Sequence, residues 1–429
     1  MRSRFLIAAP SSNSGKTTLT LGLLRLLHNQ GLKVQPFKCG PDYIDTKHHS
    51  LAAATQSINL DTFMMSAKHV ETLYNKYSNH ADVAITEGVM GLFDGADRMK
   101  GSSAEIAILL NLPVILVVNA KAMAYSAAPL LFGFKHFNPS INIVGVIFNF
   151  VNTESHYRFL KEACEDVGIE ALGYVPANDL VKIPSRHLGL VISTEHDYDA
   201  IAAQISKTVD VEKLLAITAT EIAIIPEKPD LPQTGKLRIA IAKDDAFNFT
   251  YYENIEVLKR LGTISFFSPI HDTILPETDL LYLAGGYPEL HLEALSANTE
   301  MKEAMLRYCN NGGKVIAECG GMMYLGKSIT DKDGNSYPMA GFLDINTSME
   351  QAKLSLGYRT VNSFFKGHEF HYSTCKELSS IKRVGEVQNA KGIKVDTPIY
   401  KQNNVLASYI HFYWGEDQSN KAFEALLSI

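Results

Sequence analysis

The stretch "RFLIAAPSSNSGKTTLTLGLLRLL", residues 4–27, determines the fold that we predict for the first half of the chain. A short apolar run ends at Pro10, and leucines at helical spacing follow Gly15, Lys16 and Thr17. In a P-loop this triplet lies between a strand and a helix, where backbone N–H groups bind phosphates. Pro10 replaces the usual first glycine of the motif, but the flanking strand and helix still predict a nucleotide site. The residues assigned to it are Asn13, Ser14, Gly15, Lys16, Thr17 and Thr18.

Apolar segments alternate with helical patterns through the rest of this half. The predicted strands are "LKVQPFKCG", "ADVAITEGVMG", "LPVILVVNA" and "INIVGVIFNFV". Their alternation with helices is typical of an α/β fold with a doubly wound parallel sheet. Two prolines and a glycine in "EKPDLPQTGK", residues 227–236, predict a linker. A second alternation follows the linker, so we predict two α/β domains, residues 1–228 and 237–429.

Composition narrows the class of protein further. The net charge of -6 comes without a long basic run, which argues against a nucleic-acid partner. The five cysteines form no disulfide or metal pattern and suit a reducing cytosol, so we expect a cytoplasmic protein. The first apolar run is too short for a signal peptide, and no run approaches the roughly 20 apolar residues of a membrane helix.

Carboxylates follow two of the predicted strands of the first domain. Asp42 and Asp45 lie in "KCGPDYIDTKHH", and Glu87 and Asp94 lie in "ITEGVMGLFDG". The carboxyl ends of parallel strands face the ligand crevice of an open α/β sheet. Because Mg²⁺ prefers oxygen ligands, we predict that Thr17, Asp42 and Glu87 bind it. A helix cap or a solvated loop charge is the alternative for each carboxylate taken alone.

The second domain contains a candidate nucleophile in "AECGGMMYLG", residues 317–326. Cys319 ends an apolar strand and precedes a helical pattern, as the nucleophile of a strand-to-helix elbow does. A helix N-terminus favours the thiolate, whereas a buried structural thiol is the alternative. His411, in "ASYIHFYWG", is the candidate base, and the glycines of "LAGGYPELH" are candidate donors to an oxyanion.

The motifs together resemble a known family over nearly the whole chain. "GGYPELH", "AECGGMMYL" and the late histidine, with "KCGPDYID", "EGVMGLFDG", "GYR" and "GHEFHYS", resemble the cobyrinic and cobyric acid synthase branch of class I glutamine amidotransferases. The resemblance implies a P-loop domain of the dethiobiotin synthetase type followed by a class I glutamine amidotransferase α/β domain.

The resemblance also implies roles for residues of the second domain. Cys319 would attack the glutamine amide with His411 as its base, and Gly286 and Gly320 match the oxyanion and glutamine-binding positions. Many class I enzymes place a glutamate two residues after the histidine, where this chain has Tyr413. The third member of the triad is therefore left open, and Glu416 is near His411 in sequence only.

The implied reaction is an amidation that uses ATP, Mg²⁺ and L-glutamine. An acyl phosphate would form on the a and c acetate carboxylates of cobyrinic acid, in cobalamin biosynthesis, and ammonia would displace the phosphate. Tyr43, Asp45 and Asp94 would face this corrinoid. Rival substrates are hydrogenobyrinic acid, nickel-sirohydrochlorin and other carboxylates of cobyric acid. A P-loop switch ATPase is the rival of a different class. We expect no membrane partner, and a homodimer stays open.

Overall fold

The computed structural model describes residues 2–177, 197–220 and 235–416. It divides into two compact units, Met1–Lys228 and Pro229–Ile429. The predicted linker lies, except for its last two residues, outside the described residues. Among the described helices, none is long and apolar enough to cross a membrane.

The first unit alternates strands and helices. Its strands are β1 (Arg2–Ala8), β2 (Val34–Cys39), β3 (Ile58–Leu60), β4 (Val83–Glu87), β5 (Val114–Asn119), β6 (Ile143–Asn149), β7 (Glu170–Val175) and β8 (Ala219–Thr220). Its helices are α1 (Lys16–Asn29), α2 (Ile44–Ala53), α3 (Ala67–Ser78), α4 (Ser103–Leu109), α5 (Ala127–Phe137), α6 (Glu154–Val167), α7 (Tyr198–Thr208) and α8 (Val211–Ile217).

The sheet of this unit has the strand order β3-β2-β4-β1-β5-β6-β7, and β8 pairs with β1. All pairs are parallel except the antiparallel pair of β8 with β1. The central strand β1 is buried along nearly its whole length, which is typical of a parallel sheet covered by helices. The predicted doubly wound parallel sheet is confirmed, and the carboxyl ends of β1, β2 and β4 lie side by side at its switch point.

The second unit combines a larger sheet with two smaller ones. Its strands are β9 (Leu237–Ala242), β10 (Gly262–Phe267), β11 (Leu280–Leu283), β12 (Lys314–Glu318), β13 (Ser328–Thr330), β14 (Ser336–Pro338), β15 (Ile345–Ser348), β16 (Ser355–Val361), β17 (Phe365–His371), β18 (Thr374–Glu377), β19 (Val387–Asn389), β20 (Ile399–Gln402), β21 (Val405–Ser408) and β22 (Ile410–Tyr413). Its helices are α9 (Tyr252–Leu261), α10 (Leu292–Ala297), α11 (Thr299–Asn310) and α12 (Gly320–Leu325), with a short 3-10 helix at Pro288–Leu290.

The larger sheet has the order β10-β9-β11-β12-β21-β20, and only its terminal pair, β20 with β21, is antiparallel. The smaller sheets have the orders β14-β13-β15-β18 and β19-β16-β17-β22. β21 and β22 are consecutive in the chain but belong to different sheets, so one chain segment passes from the larger sheet into the sheet that contains His411.

Candidate active sites

The loop between β1 and α1 has the backbone that the P-loop motif predicts. Gly15 has a φ of 94° at the start of α1, and a Cβ there would lie 1.9 Å from Nδ2 of Asn149. Glycine is therefore needed at this position both for its left-handed conformation and for the close approach of β6. Nδ2 of Asn149 donates to the carbonyl of Ser14 at 3.0 Å. Asn149, which the sequence did not single out, thus holds the loop against the end of β6.

Lys16 links the P-loop to the segment that follows β4. Its side chain is largely buried, and its Nζ donates to the carbonyl of Met90 at 2.5 Å. Burial, and then the charge of Lys38, lower the pKa of Lys16 to about 8. Asp94 lies on the same segment, is exposed, and accepts a hydrogen bond from the backbone of Gly91 at 3.0 Å.

A cluster of charged side chains lies beside the P-loop at the carboxyl ends of β2 and β4. The hydroxyl of Thr17 donates to Oε1 of Glu87 at 2.7 Å and lies 3.5 Å from Oδ2 of Asp45. Nζ of Lys38 lies 2.6 Å from Asp45 and 2.8 Å from Glu87. Lys38 and Glu87 meet because they are direct partners in the register of β2 and β4. We call Thr17, Lys38, Asp45 and Glu87 the P-loop cluster.

Burial and charge act against each other in the P-loop cluster. Burial opposes the charged form of Lys38, but Asp45 and Glu87 raise its pKa well above the usual value. Burial likewise opposes ionisation of Glu87, yet Lys38 and His49, whose Nε2 lies 2.7 Å from the carboxylate, hold its pKa below the usual range. Burial and the nearby Asp42 raise the pKa of Asp45, against the opposing effect of Lys38.

Asp42 and Asp45 are placed differently from the sequence-based assignment. Oδ1 of Asp42 accepts hydrogen bonds from the backbone N–H groups of Ile44 and Asp45, at 2.9 and 2.8 Å, at the start of α2. Asp42 therefore acts as the cap of this helix, while the side chain of Asp45 faces Thr17 and Lys38. Tyr43, between them, is buried. Spacing alone could not distinguish the two carboxylates, because it does not show where α2 begins.

Cys319 has the backbone conformation of a nucleophile elbow. It lies between β12 and α12 with φ 45° and ψ -104°, a strained region for a residue other than glycine. Its carbonyl accepts from the backbone of Met323 at 3.0 Å, which forms the first turn of α12. The thiol is buried, which raises its pKa, and its Sγ lies 3.7 Å from the carbonyl of Phe370.

The two glycines assigned to the oxyanion lie next to each other. A Cβ on Gly320 would lie 3.2 Å from the backbone nitrogen of Gly286 and 2.8 Å from the ring of Pro288. Gly286 has a φ of 156°, and a Cβ there would meet the carbonyl of Ala246 at 2.1 Å. Both positions accept only glycine without movement of the surrounding backbone.

His411 lies on β22 and is fully buried. A Cβ on Gly285 would lie 2.1 Å from its Cε1, and the ring of His368 stacks on it with centroids 4.9 Å apart. Burial lowers the pKa of His411 to about 3, so the imidazole is neutral. His368 is the direct partner of His411 in the register of β17 and β22. Since Phe370 of β17 also contacts Cys319, β17 lies against both candidate catalytic residues.

The motif "GHEFHYS" forms an ion-pair network on this strand. Glu369 lies 2.8 Å from Nε2 of His371 and 2.7 Å from Nε of Arg359, and it accepts from Thr397 at 2.8 Å. Burial opposes ionisation of Glu369, but His371 and Arg359 lower its pKa to about 2. The ring of His371 stacks on Tyr409 at 3.6 Å.

Tyr413 and Glu416, the two residues considered for the third position of the triad, do not provide a buried carboxylate. Tyr413 is buried and packs edge to face against Tyr251, while Glu416 is exposed. The buried carboxyl closest to His411 in the described contacts belongs to Glu318, with its Oε2 4.0 Å from Nδ1. Glu318 immediately precedes Cys319 at the end of an apolar strand, where the sequence offered no signal of an acid that acts on His411.

The two units define the class of the protein. Residues 5–191 match the CobQ/CobB/MinD/ParA nucleotide binding domain, and residues 238–419 match the CobB/CobQ-like glutamine amidotransferase domain. The protein is therefore a glutamine-dependent ligase with a nucleotide-binding domain and an amidotransferase domain in one chain, and the fold expected from the resemblance is confirmed.

Full-length relatives define the family. Cobyrinate a,c-diamide synthase of Salmonella typhimurium is 39% identical and aligns over 96% of this chain and 95% of its own. The Listeria monocytogenes enzyme of that name is 38% identical over 96% of both chains, and the Priestia megaterium enzyme is 39% identical over 96% of this chain and 94% of its own. The chain belongs to the cobyrinate a,c-diamide synthase family, which confirms the resemblance drawn from its motifs.

Proposed function

We propose that this protein uses ATP and glutamine to amidate the a and c acetate carboxylates of cobyrinic acid, a step of cobalamin biosynthesis. The observation that carries the proposal is the strained elbow at Cys319, in the same chain as a P-loop with a buried cluster of carboxylates. A glutamine amidotransferase needs an activated nucleophile to release ammonia. A carboxylate-activating ligase needs a P-loop and carboxylates that bind ATP and its metal ion.

The P-loop cluster fits a magnesium ion. Within the described residues, no group of three or more histidine, cysteine or acidic side chains is arranged to hold a metal alone. Mg²⁺ in phosphoryl-transfer sites is usually bound by one or two carboxylates together with phosphate oxygens and waters. We keep the hydroxyl of Thr17 and the carboxylate of Glu87 as proposed magnesium ligands, because both are oxygen donors beside the P-loop. We assign the second carboxylate to Asp45 rather than Asp42, because Asp42 caps α2.

The first half-reaction activates the substrate carboxylate. The substrate oxygen attacks the γ-phosphorus of ATP, so that an acyl phosphate forms and ADP leaves. Bound Mg²⁺ would neutralise charge on the transferring phosphate. Backbone N–H groups from Asn13 to Thr18 and the ammonium of Lys16 bind the phosphates. Lys38 holds Glu87 ionised and favours the ionised form of Asp45, whose pKa is raised to about 7 by burial and by Asp42. Tyr43 and Asp94 stay assigned to the corrinoid.

The second half-reaction supplies ammonia. Sγ of Cys319 attacks the amide carbon of glutamine while His411 accepts the thiol proton and returns it to the leaving nitrogen. Ammonia departs, and water hydrolyses the thioester to glutamate and free thiol. Backbone N–H groups around Gly286 and Gly320 stabilise the oxyanion. Ammonia then attacks the acyl phosphate, and inorganic phosphate leaves as the amide forms.

The experiment that tests the function is a direct assay. The purified protein is incubated with ATP, Mg²⁺, glutamine and one tetrapyrrole at a time: cobyrinic acid, hydrogenobyrinic acid or nickel-sirohydrochlorin. Mass spectrometry should detect the diamide of cobyrinic acid and one ADP for each amide. If another tetrapyrrole is amidated and cobyrinic acid is not, the substrate assignment is wrong. If ATP is hydrolysed without any amidation, the switch ATPase replaces the ligase.

We further propose that the protein is a cytoplasmic homodimer. ATP and glutamine are available in the cytoplasm, and all five cysteines have free thiols. Helix α5 exposes the rings of Phe132 and Phe137, and an exposed apolar face of this kind supports self-association. Sedimentation at micromolar concentration should give the dimer mass, and a charged residue at Phe137 should reduce it to that of the monomer.

A further inference from the structure

We infer that Glu318 positions His411 and stabilises its cationic form, in the role that a glutamate two residues after the histidine has in many class I amidotransferases. The inference rests on the proposed roles of Cys319 and His411. The acid comes from the strand that leads to the nucleophile, so one dipeptide contributes two members of the site.

The contacts of Glu318 place its carboxyl at the strand of His411. It is the last residue of β12 and is almost fully buried. Its Oε1 accepts a hydrogen bond from the backbone N–H of Phe412 at 3.1 Å, and its Oε2 lies 4.0 Å from Nδ1 of His411. The hydroxyl of Tyr282 donates to the same Oε2 at 2.9 Å. The carboxyl group therefore touches β22 at two consecutive residues and is fixed from the other side by β11.

The imidazole has little freedom to turn away from this carboxyl. Gly285 lies so close to Cε1 that a single added carbon would overlap the ring, and His368 stacks on its face. Because Nδ1 is the nitrogen near Glu318, Nε2 is the one left for the thiol of Cys319. At 4.0 Å the Oε2 of Glu318 is beyond hydrogen-bond distance from Nδ1, so Glu318 acts on the imidazole through its charge. A carboxylate beside this nitrogen stabilises the imidazolium in catalytic triads.

Tyr413 occupies the position, two residues after His411, where many class I amidotransferases have the glutamate. The ring of Tyr413 packs edge to face on Tyr251 with centroids 5.3 Å apart. Its direct partner in β17 is Lys366. A tyrosine with these contacts cannot act as the anionic partner of His411. Glu318, which approaches the same imidazole from β12, takes this role instead.

The role of Glu318 can be tested through the pH dependence of glutamine hydrolysis. Burial raises the pKa of Glu318 to about 8, against the hydrogen bonds from Tyr282 and Phe412. Glu318 becomes ionised as the pH rises through this value, and only the ionised form stabilises the imidazolium that forms when Cys319 loses its proton. The rate of glutamine hydrolysis should therefore rise with pH through this range. The other titratable groups packed around the pair are Tyr282, His368, Glu369, His371 and Cys319.

The decisive variant is Glu318→Gln in the full-length protein. Glutamine keeps an oxygen for the N–H of Phe412 and nearly the same volume, so a purely structural role would survive. We expect kcat for glutamine hydrolysis to fall by up to about 10⁴-fold, the loss seen when the acid of a catalytic triad becomes an amide. KM for glutamine, the melting temperature and amidation from free ammonia should stay near those of the parent. The rise of kcat with pH should be lost.

Two further variants distinguish a role of Glu318 in glutamine hydrolysis from a purely structural role. Tyr282→Phe removes a donor to Oε2, which raises the pKa of Glu318, so the rise of kcat should move to higher pH. Glu318→Asp keeps the charge and should restore part of the rate. A folded Glu318→Gln variant with parental kcat and pH profile would show that Glu318 only anchors β22. Should Glu318→Gln fail to fold, an unshifted profile in Tyr282→Phe would overturn the inference equally. If Cys319→Ser keeps glutaminase activity, the proposed function fails instead.

Discussion

Gly285 provides the most direct test of the proposed glutaminase site, because it has no side chain to take part in chemistry. A Cβ at this position would lie 2.1 Å from Cε1 of His411, whereas ordinary contact begins at 3.4 Å. In Gly285→Ala the imidazole or the backbone must therefore shift by about 1.3 Å. A misplacement of about 1 Å in a catalytic group can cost about 100-fold in rate, which corresponds to about 2.7 kcal/mol in the barrier.

The assay is the steady-state release of glutamate from glutamine, with amidation from free ammonia measured in parallel. We expect kcat for glutamine hydrolysis to fall about 100-fold, while amidation from ammonia stays unchanged because it needs only the first unit. Gly133→Ala is the matched control. A Cβ there meets nothing within 4 Å, and the glycine lies inside α5, so this change should stabilise the protein by roughly 0.5–1 kcal/mol. Parental glutaminase activity in a folded Gly285→Ala variant would mean that His411 is not the base.

Four other substitutions test the glutaminase site, the P-loop and the magnesium ligands. Cys319→Ser should abolish amidation from glutamine and leave amidation from high free ammonia intact; retained glutaminase activity would return the thiol to a structural role. Lys16→Ala should slow amidation from both nitrogen sources by at least about 30-fold, or about 2 kcal/mol, and normal ammonia-dependent turnover would contradict the P-loop assignment. Asp42→Asn should lower the melting temperature through the loss of about 1 kcal/mol of capping and spare kcat, whereas Asp45→Asn should lower kcat with either nitrogen source. The reverse pattern in calorimetry and kinetics would return Asp42 to the magnesium site and make Asp45 the capping residue.

The sequence alone determined the features that are encoded in contiguous stretches. The alternation of apolar strands with helical patterns predicted the parallel sheet. The strand, loop and helix around Gly15 to Thr17 predicted the P-loop, because phosphate loops and helix starts depend on a few adjacent residues. The stretch around Cys319 predicted a sharp turn after a buried strand, and the structure has φ 45° there. Several separate motifs together indicated the family, which the full-length relatives confirm. The roles of Cys319, His411 and the magnesium ligands stay predictions.

Tertiary structure decided which distant residues meet. Asn149 contacts the P-loop from 135 positions away, and Glu318 reaches the strand of His411 across 94 positions. Lys38 joins Glu87 only because β2 and β4 pair in one particular register, and His411 lies beside His368 only because β22 pairs with β17. Spacing along a chain fixes contacts within a helix or a turn. Contacts between elements depend instead on strand order, register and close packing, which arise from the whole chain and from no single stretch of it.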